Sequence, residues 1–143
     1  MQQRISVVTL GVADLARARA FYEQGLGWQP ARQSQGDVVF YQASGLVLAL
    51  YPRHLLAEDA CVPDDDAGGF RAMTLAHNVR SRQEVDDLLQ TAARAGGTIT
   101  KPAQEVFWGG YAGYFADPDH HLWEVCHNPF WDLADDGSLI LPK

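Results

Sequence analysis

The stretch VVTLGVADLARARAFYEQGLGW, residues 7–28, contains a strand signal followed directly by a helix signal. β-Branched and apolar residues dominate its start, which predicts a buried strand over residues 4–12. Asp14 is a good helix N-cap, and the apolar residues after it recur at helical spacing until Gly25 and Gly27. The stretch therefore predicts a β-α unit whose helix packs on its own strand.

Three shorter strand-like runs follow this unit, at residues 28–33, 37–43 and 45–51. Residues 52–69 differ in composition, with two prolines, a run of Asp and two glycines, and they predict a connector. The Asp run lacks the alternating spacing and closing Glu of an EF-hand, so we interpret it as a solvated loop. The first half of the chain is thus predicted to be β-α-β-β-β.

The second half repeats this order. Residues 70–79 predict a strand, and Ser81 with Glu84 forms a capping-box pattern ahead of an amphipathic helix. Strand-like runs then follow near 98–104, 110–116 and 121–127.

An offset of 67 residues places the two halves in register, with Val12 on Val79 and Asp14 on Ser81. Such a repeat is strong evidence for two similar structural modules. We predict a single α+β domain built from two βαβββ modules. Its segments are module one (4–51), the connector (52–69), module two (70–128) and a C-terminal tail (129–143).

Charge and composition restrict the function. The chain has 143 residues and a net charge of −7 without a basic cluster, which argues against nucleic acid as a partner. It shows neither a signal-peptide pattern nor an apolar run of membrane-spanning length, so we expect a cytoplasmic protein that does not bind membranes. Cys61 and Cys126 predict two free thiols, with a disulfide as the open alternative.

Two segments resemble a known family. Residues 7–28, together with GGYAGYFADPDHHLWEVCHNPFW at 109–131, resemble motifs of the vicinal oxygen chelate superfamily, which includes glyoxalases, bleomycin-resistance proteins and dioxygenases. The resemblance implies that paired modules curl into half-barrels around a cleft, and that the protein forms a homodimer. It leaves the function open, because this superfamily contains both enzymes and non-catalytic drug-binding proteins.

Active members of the superfamily hold a divalent metal through residues of the first and last strands of each module. The resemblance places these positions at Val7, Ala49, Thr74 and Glu124. Valine and alanine have no donor atom, and catalytic metal sites use about three protein ligands. We therefore expect no metal and no other cofactor, with a divalent metal as the alternative.

The remaining site candidates are aromatic. Phe40, Trp108 and Tyr111 are predicted to line the ligand site with the four positions above. We predict a small-molecule-binding protein whose ligand is unknown. The alternative is a lyase, isomerase or dioxygenase in which Glu124 acts as a general base or as one metal ligand.

The stretch ahead of Glu124 is rich in ionisable groups, which we interpret as turn chemistry rather than as a catalytic site. Asp117, Asp119 and His120 are predicted to form a turn, with His120 exposed where the family usually has glycine. His121 is out of phase with Glu124 along the strand. His77 is predicted to be a buried, hydrogen-bonded side chain facing the helix.

Overall fold

The computed structural model describes residues 1, 5–65 and 69–141. It divides into two compact units, Met1–Arg71 and Ala72–Lys143. Each unit contains a mixed sheet and at least one helix, so the predicted α+β class is confirmed. Within the described residues, no helix combines the length and apolar character needed to cross a membrane.

The first unit begins with the predicted strand and helix. It comprises β1 (Val7–Val12), α1 (Leu15–Arg19), a π-helical continuation (Ala20–Gly25), β2 (Val39–Ala43), β3 (Leu46–Pro52) and α2 (Arg53–Asp59). The strand order is β1-β3-β2, with β1 parallel and β2 antiparallel to β3. Asp14 caps α1 as predicted, because its side chain accepts a hydrogen bond from the Arg17 amide at 3.0 Å. Arg4, at the start of the predicted strand, lies outside the described residues.

The core of the first unit lies between its helix and one face of the sheet. Leu10, Leu50 and Tyr41 are almost fully buried there, and the Tyr41 hydroxyl donates to Glu23 of the π-helical segment at 3.2 Å. Phe21 and Tyr22 are buried from the helix side. The apolar residues at helical spacing within residues 7–28 thus form the buried face of this helix.

The predicted strand at 28–33 is wrong. Residues 28–31 run beside β2, and the Ala31 amide donates to the Phe40 carbonyl at 2.7 Å, but they form no regular strand. Pro30 has no amide hydrogen and interrupts a hydrogen-bonded ladder. The first unit therefore has one strand fewer than predicted.

The connector predicted at 52–69 contains a helix, α2. Pro52 stands at its N-cap position, where a missing amide hydrogen costs nothing to the helix. The helix starts against β1, where an added Cβ at Gly11 would lie 3.0 Å from the Arg53 Cβ. The prolines and the Asp run predict a loop, whereas residues 53–59 between Pro52 and Pro63 form a helix. Asp66, the last residue of the Asp run, lies outside the described residues.

The second unit follows the predicted order. It comprises β4 (Leu75–Asn78), α3 (Arg82–Arg94), β5 (Thr98–Glu105), β6 (Tyr111–Ala116), β7 (Leu122–His127) and a short hairpin of β8 (Asp132–Leu133) and β9 (Leu139–Ile140). Its main sheet has the order β4-β7-β6-β5, with β4 parallel to β7 and the other pairs antiparallel. Ser81 caps α3 by accepting from the Glu84 amide at 3.2 Å.

Helix α3 packs on one face of this sheet. Val85, Leu89 and Ala92 are buried on the helix side. Trp123 and Val125 are buried beneath it, as strand alternation predicts, and Trp123 stacks on Phe115 with ring centroids 6.2 Å apart. The opposite face of the second sheet, turned away from α3, is called the far face below.

Gly113→Ala should destabilise the protein by about 1–3 kcal/mol, because it overpacks the contact between α3 and the sheet. An added Cβ at Gly113 would lie 2.6 Å from Leu89 Cδ1 and 2.9 Å from the Ala103 backbone nitrogen, and backbone cannot move aside cheaply. Urea unfolding measures the cost. Gly45→Ala is the matched control, since an added Cβ there meets nothing within 4 Å. Equal stability of the two variants would contradict the packing described.

Candidate functional site

The pairing registers place Ala49 and Glu124 at equivalent positions of the two units. In the first sheet Thr9 of β1 lies opposite Ala49 of β3, and in the second sheet Ala76 of β4 lies opposite Glu124 of β7. Thr9 and Ala76 are 67 residues apart, the offset of the sequence repeat. The same strand position is thus apolar in one unit and acidic in the other.

The residues that pair with Ala49 and Glu124 from the other neighbouring strand also differ between the two units. Phe40 of β2 lies opposite Ala49, whereas Tyr114 of β6 lies opposite Glu124. A phenol hydroxyl therefore stands beside the carboxylate only in the second unit. Tyr114 was absent from the predicted site.

A row of polar residues crosses the far face of the second sheet. Lys101 pairs with Tyr114, Tyr114 pairs with Glu124, and Glu124 pairs with Ala76, so the four residues lie in line across β5, β6, β7 and β4. Lys101, Tyr114 and Glu124 are half-buried, and Ala76 is exposed. We call Lys101, Tyr114 and Glu124 the polar row.

Tyr114 links the two charged members of the polar row. Its pKa is raised by burial, by the charge of the nearby Glu124 and by a hydrogen bond to that carboxylate. On its other side, the Lys101 Nζ lies 5.8 Å from the centroid of the Tyr114 ring, within cation–π range. The phenol can therefore orient the carboxylate on one side and the ammonium on the other.

Cys126 also lies near Glu124, two residues further along β7. It is buried with 5% exposure. Burial first, and the Glu124 charge second, raise the pKa of its thiol to about 11. Cys126 is therefore an unreactive thiol whose titration reports on the charge of Glu124. Cys126 and the exposed Cys61 are both free thiols.

The structure does not place Tyr111 beside Glu124. The Tyr111 hydroxyl donates to Asp86 of α3 at 2.9 Å, and the Arg82 guanidinium lies 5.5 Å from its ring centroid. Tyr111 is therefore on the α3 side of the sheet, whereas Tyr114, three residues later on the same strand, points to the far face.

The register of this hairpin could have identified Tyr114 from the sequence. A turn centred on Asp119 places Tyr114 opposite Glu124 and Tyr111 opposite His127. The hairpin register is therefore the sequence signal that indicates Tyr114 as the neighbour of Glu124.

The other predicted site residues lie on several strands and in one turn. Val7 is the first residue of β1 and is 48% exposed, and Thr74 is exposed just before β4. Trp108 is in the β5–β6 turn, where its ring covers Gly110 and leaves no room for a Cβ. Phe40 and Ala49 are partners across β2 and β3. Their contact with a ligand stays a prediction.

The residues at the family's metal positions do not fit a metal. Val7 and Ala49 supply no donor atom, Thr74 supplies one neutral hydroxyl, and Glu124 supplies the one carboxylate. Across residues 1, 5–65 and 69–141, no group of three His, Cys, Asp or Glu side chains could hold an ion. One carboxylate falls short of the roughly three ligands that a catalytic metal needs.

The acidic stretch before β7 is a turn, as predicted. The Asp117 carboxylate accepts hydrogen bonds from the Asp119 and His121 amides, both at 2.9 Å. His120 is exposed and His121 is buried. His77 lies on the α3 side of the sheet, as predicted, because it pairs with Val125, but its residue on the edge strand β4 is exposed rather than buried.

His120→Gly should stabilise the protein by about 0.5–1 kcal/mol, since His120 has a φ of +65° and L residues pay a cost in this left-handed region. Chemical unfolding in urea measures the gain. His120→Ala is the control, because alanine keeps the backbone strain. An equal gain from alanine would show that the imidazole, rather than the backbone, is unfavourable.

The fold and the far-face geometry define a class: an α+β domain of two repeated modules, with one carboxylate at a family ligand position. The sequence matches the family model of the glyoxalase/bleomycin resistance protein/dioxygenase superfamily over residues 4–125. The chain belongs to this superfamily, which confirms the resemblance and the fold class. A comparison with curated proteins finds no match.

Solved structures agree with this assignment. A glyoxalase-related enzyme from Fulvimarina pelagi is 40% identical, with a TM-score of 0.90 over 99% of this chain and 100% of that chain. A glyoxalase/bleomycin resistance protein/dioxygenase family enzyme from Burkholderia phytofirmans is 20% identical, with a TM-score of 0.76 over 85% and 96%. A lactoylglutathione lyase from Agrobacterium tumefaciens is 21% identical, with a TM-score of 0.69 over 94% and 100%. The last two share the fold alone.

Proposed function

We propose that this protein binds a small organic molecule without a metal, and that the far face of the second sheet is the binding surface. The observation that carries the proposal is Glu124, a half-buried carboxylate at a family ligand position that pairs with Tyr114, while the other family positions Val7 and Ala49 have no donor atom. A carboxylate beside a phenol suits recognition of a donor group or a positive charge.

A thermal-shift screen with aromatic cations and glutathione adducts tests this proposal. A true ligand at 100 times its Kd should stabilise the protein by about 2.7 kcal/mol, which is about 5–10 °C for a chain of this size. Glu124→Gln should remove the shift. Glu105→Gln should keep it, because Glu105 pairs with Tyr111 on the α3 side of the same sheet.

The proposal fails if no compound raises the melting temperature, or if the shift is the same in Glu124→Gln as in the wild type. Circular dichroism of both variants checks that the fold is intact. A response lost in Glu105→Gln but kept in Glu124→Gln would move the site to the other face of the sheet.

A second candidate is an enzyme, because the 40% identical relative is described as a glyoxalase-related enzyme. In this case Glu124 would be the general base, or a single ligand of a divalent metal. Turnover of a screened compound that depends on Glu124 would support this candidate. Binding without turnover would favour the first.

We also propose a cytoplasmic homodimer with a small-molecule partner. The family resemblance supports the dimer, and the acidic charge without a basic cluster supports a partner other than nucleic acid. Light scattering coupled to size exclusion measures the oligomeric state. A monomer at micromolar concentration would contradict the dimer.

A further inference from the structure

The polar row carries opposite charges on the two sides of one aromatic ring. Lys101 and Glu124 lie two strands apart, so their backbones are separated by about 10 Å, and both side chains reach toward Tyr114 between them. This arrangement places an ammonium and a carboxylate on one surface, with the Tyr114 ring between them.

Both charged groups can still take further hydrogen bonds. A carboxylate offers about four acceptor positions, so Glu124 can accept hydrogen bonds from a ligand as well as from the neighbouring Tyr114 hydroxyl. The Lys101 ammonium has three donors, and its contact with the Tyr114 ring uses the aromatic face rather than an oxygen. A ligand could therefore engage both ends of the polar row at once.

The surroundings of the polar row on the far face are mixed. Ala112 and Ala116 stand two residues either side of Tyr114 on β6, are buried, and pair with Gln104 and Thr98 of β5. Ala76, which pairs with Glu124 from β4, is small and exposed, so the body of a ligand can lie over the Glu124 end of the row. The equivalent row of the first sheet consists of Thr9, Ala49 and Phe40 and carries no charge.

We propose that the polar row recognises a small amphoteric ligand, with its anionic group on Lys101 and its positively charged or donor group on Glu124. Tyr114 acts as the positioning residue that sets their spacing. This inference rests on the proposed function and specifies its ligand class. A ligand with only an acidic group would contact Lys101 alone, and a ligand with only an amine would contact Glu124 alone.

Three four-carbon probes test this inference by isothermal titration at low salt: 4-aminobutyrate, butylamine and butyrate. 4-Aminobutyrate should bind at least tenfold more tightly than either of the others. Lys101→Gln should reduce its affinity to that of butylamine, and Glu124→Gln to that of butyrate. Tyr114→Phe should weaken 4-aminobutyrate severalfold, whereas Tyr111→Phe, on the opposite face of the same strand, should leave it unchanged.

Four results would overturn the inference. The first is equal affinity for all three probes. The second is a preference for 4-aminobutyrate that persists in both charge variants. The third is no binding of 4-aminobutyrate at about 10 mM, a concentration that would saturate a site with a Kd near 1 mM. Binding of butylamine alone, lost in Glu124→Gln, would also overturn it, but would leave the proposed function standing.

Discussion

Cys126 should react with iodoacetamide at pH 8 at least about 100-fold more slowly than Cys61 in the folded protein. Cys61 is exposed, whereas Cys126 is buried and its pKa is raised to about 11. At pH 8 a thiol with that pKa is about 0.1% thiolate, against about a quarter for an ordinary thiol. Mass spectrometry of the two cysteine peptides after quenching measures both rates, and in urea they should converge.

The same measurement probes Glu124. Its charge contributes to the raised pKa of Cys126, so Glu124→Gln should speed the labelling of Cys126 severalfold. Glu105→Gln should leave the rate unchanged, because that carboxylate is on the α3 side of the sheet. Equal labelling of Cys61 and Cys126 in the folded wild type would contradict the burial described.

The raised pKa of Cys126 also has a consequence for stability. The folded state holds this proton more tightly than the unfolded chain does. Its contribution is therefore complete below the ordinary thiol pKa near 8.5 and is lost as the pH rises to about 11.

Tyr22→Ala should destabilise the protein by about 3–5 kcal/mol, a large part of the 5–15 kcal/mol typical of a domain. Tyr22 is fully buried in the π-helical segment. Its ring centroid lies 5.1 Å from that of Phe21, 5.4 Å from Trp28 and 6.1 Å from Tyr41. Removing the ring leaves a cavity among three aromatic side chains.

Urea unfolding monitored by circular dichroism measures the cost. Tyr22→Phe is the matched control, because it keeps the ring and changes only the hydroxyl. Phenylalanine should therefore retain most of the stability. Equal destabilisation by alanine and phenylalanine would show that the hydroxyl, rather than ring packing, stabilises this segment.

The repeat was the most informative feature of the sequence. The offset of 67 residues relates Thr9 to Ala76, and the structure pairs these residues with Ala49 and Glu124. The equivalence of Ala49 and Glu124 follows from the parallel pair that the first and last strands of the repeat form in each sheet. Local composition predicted the secondary structure less reliably. Helix α2 lies between prolines and acidic residues, a composition that is typical of a loop.

Other parts of the site could not be predicted. Lys101 joins the polar row because irregularities in the β5–β6 pairing lie on both sides of it, between Ile99 and Lys101 and between Lys101 and Gln104. A β-bulge shifts which side chains face each surface of the sheet. Sequence alternation alone therefore cannot place Lys101 beside Tyr114.

Metal analysis of the protein, purified without chelator and then dialysed against Zn²⁺, Mn²⁺, Fe²⁺ and Ni²⁺ in turn, tests the central claim most directly. We expect far less than one equivalent of any metal per chain, because Glu124 is the one carboxylate at the four family positions and Val7 and Ala49 have no donor atom. One equivalent of a metal that is retained through gel filtration and lost in Glu124→Gln would contradict metal-independent binding.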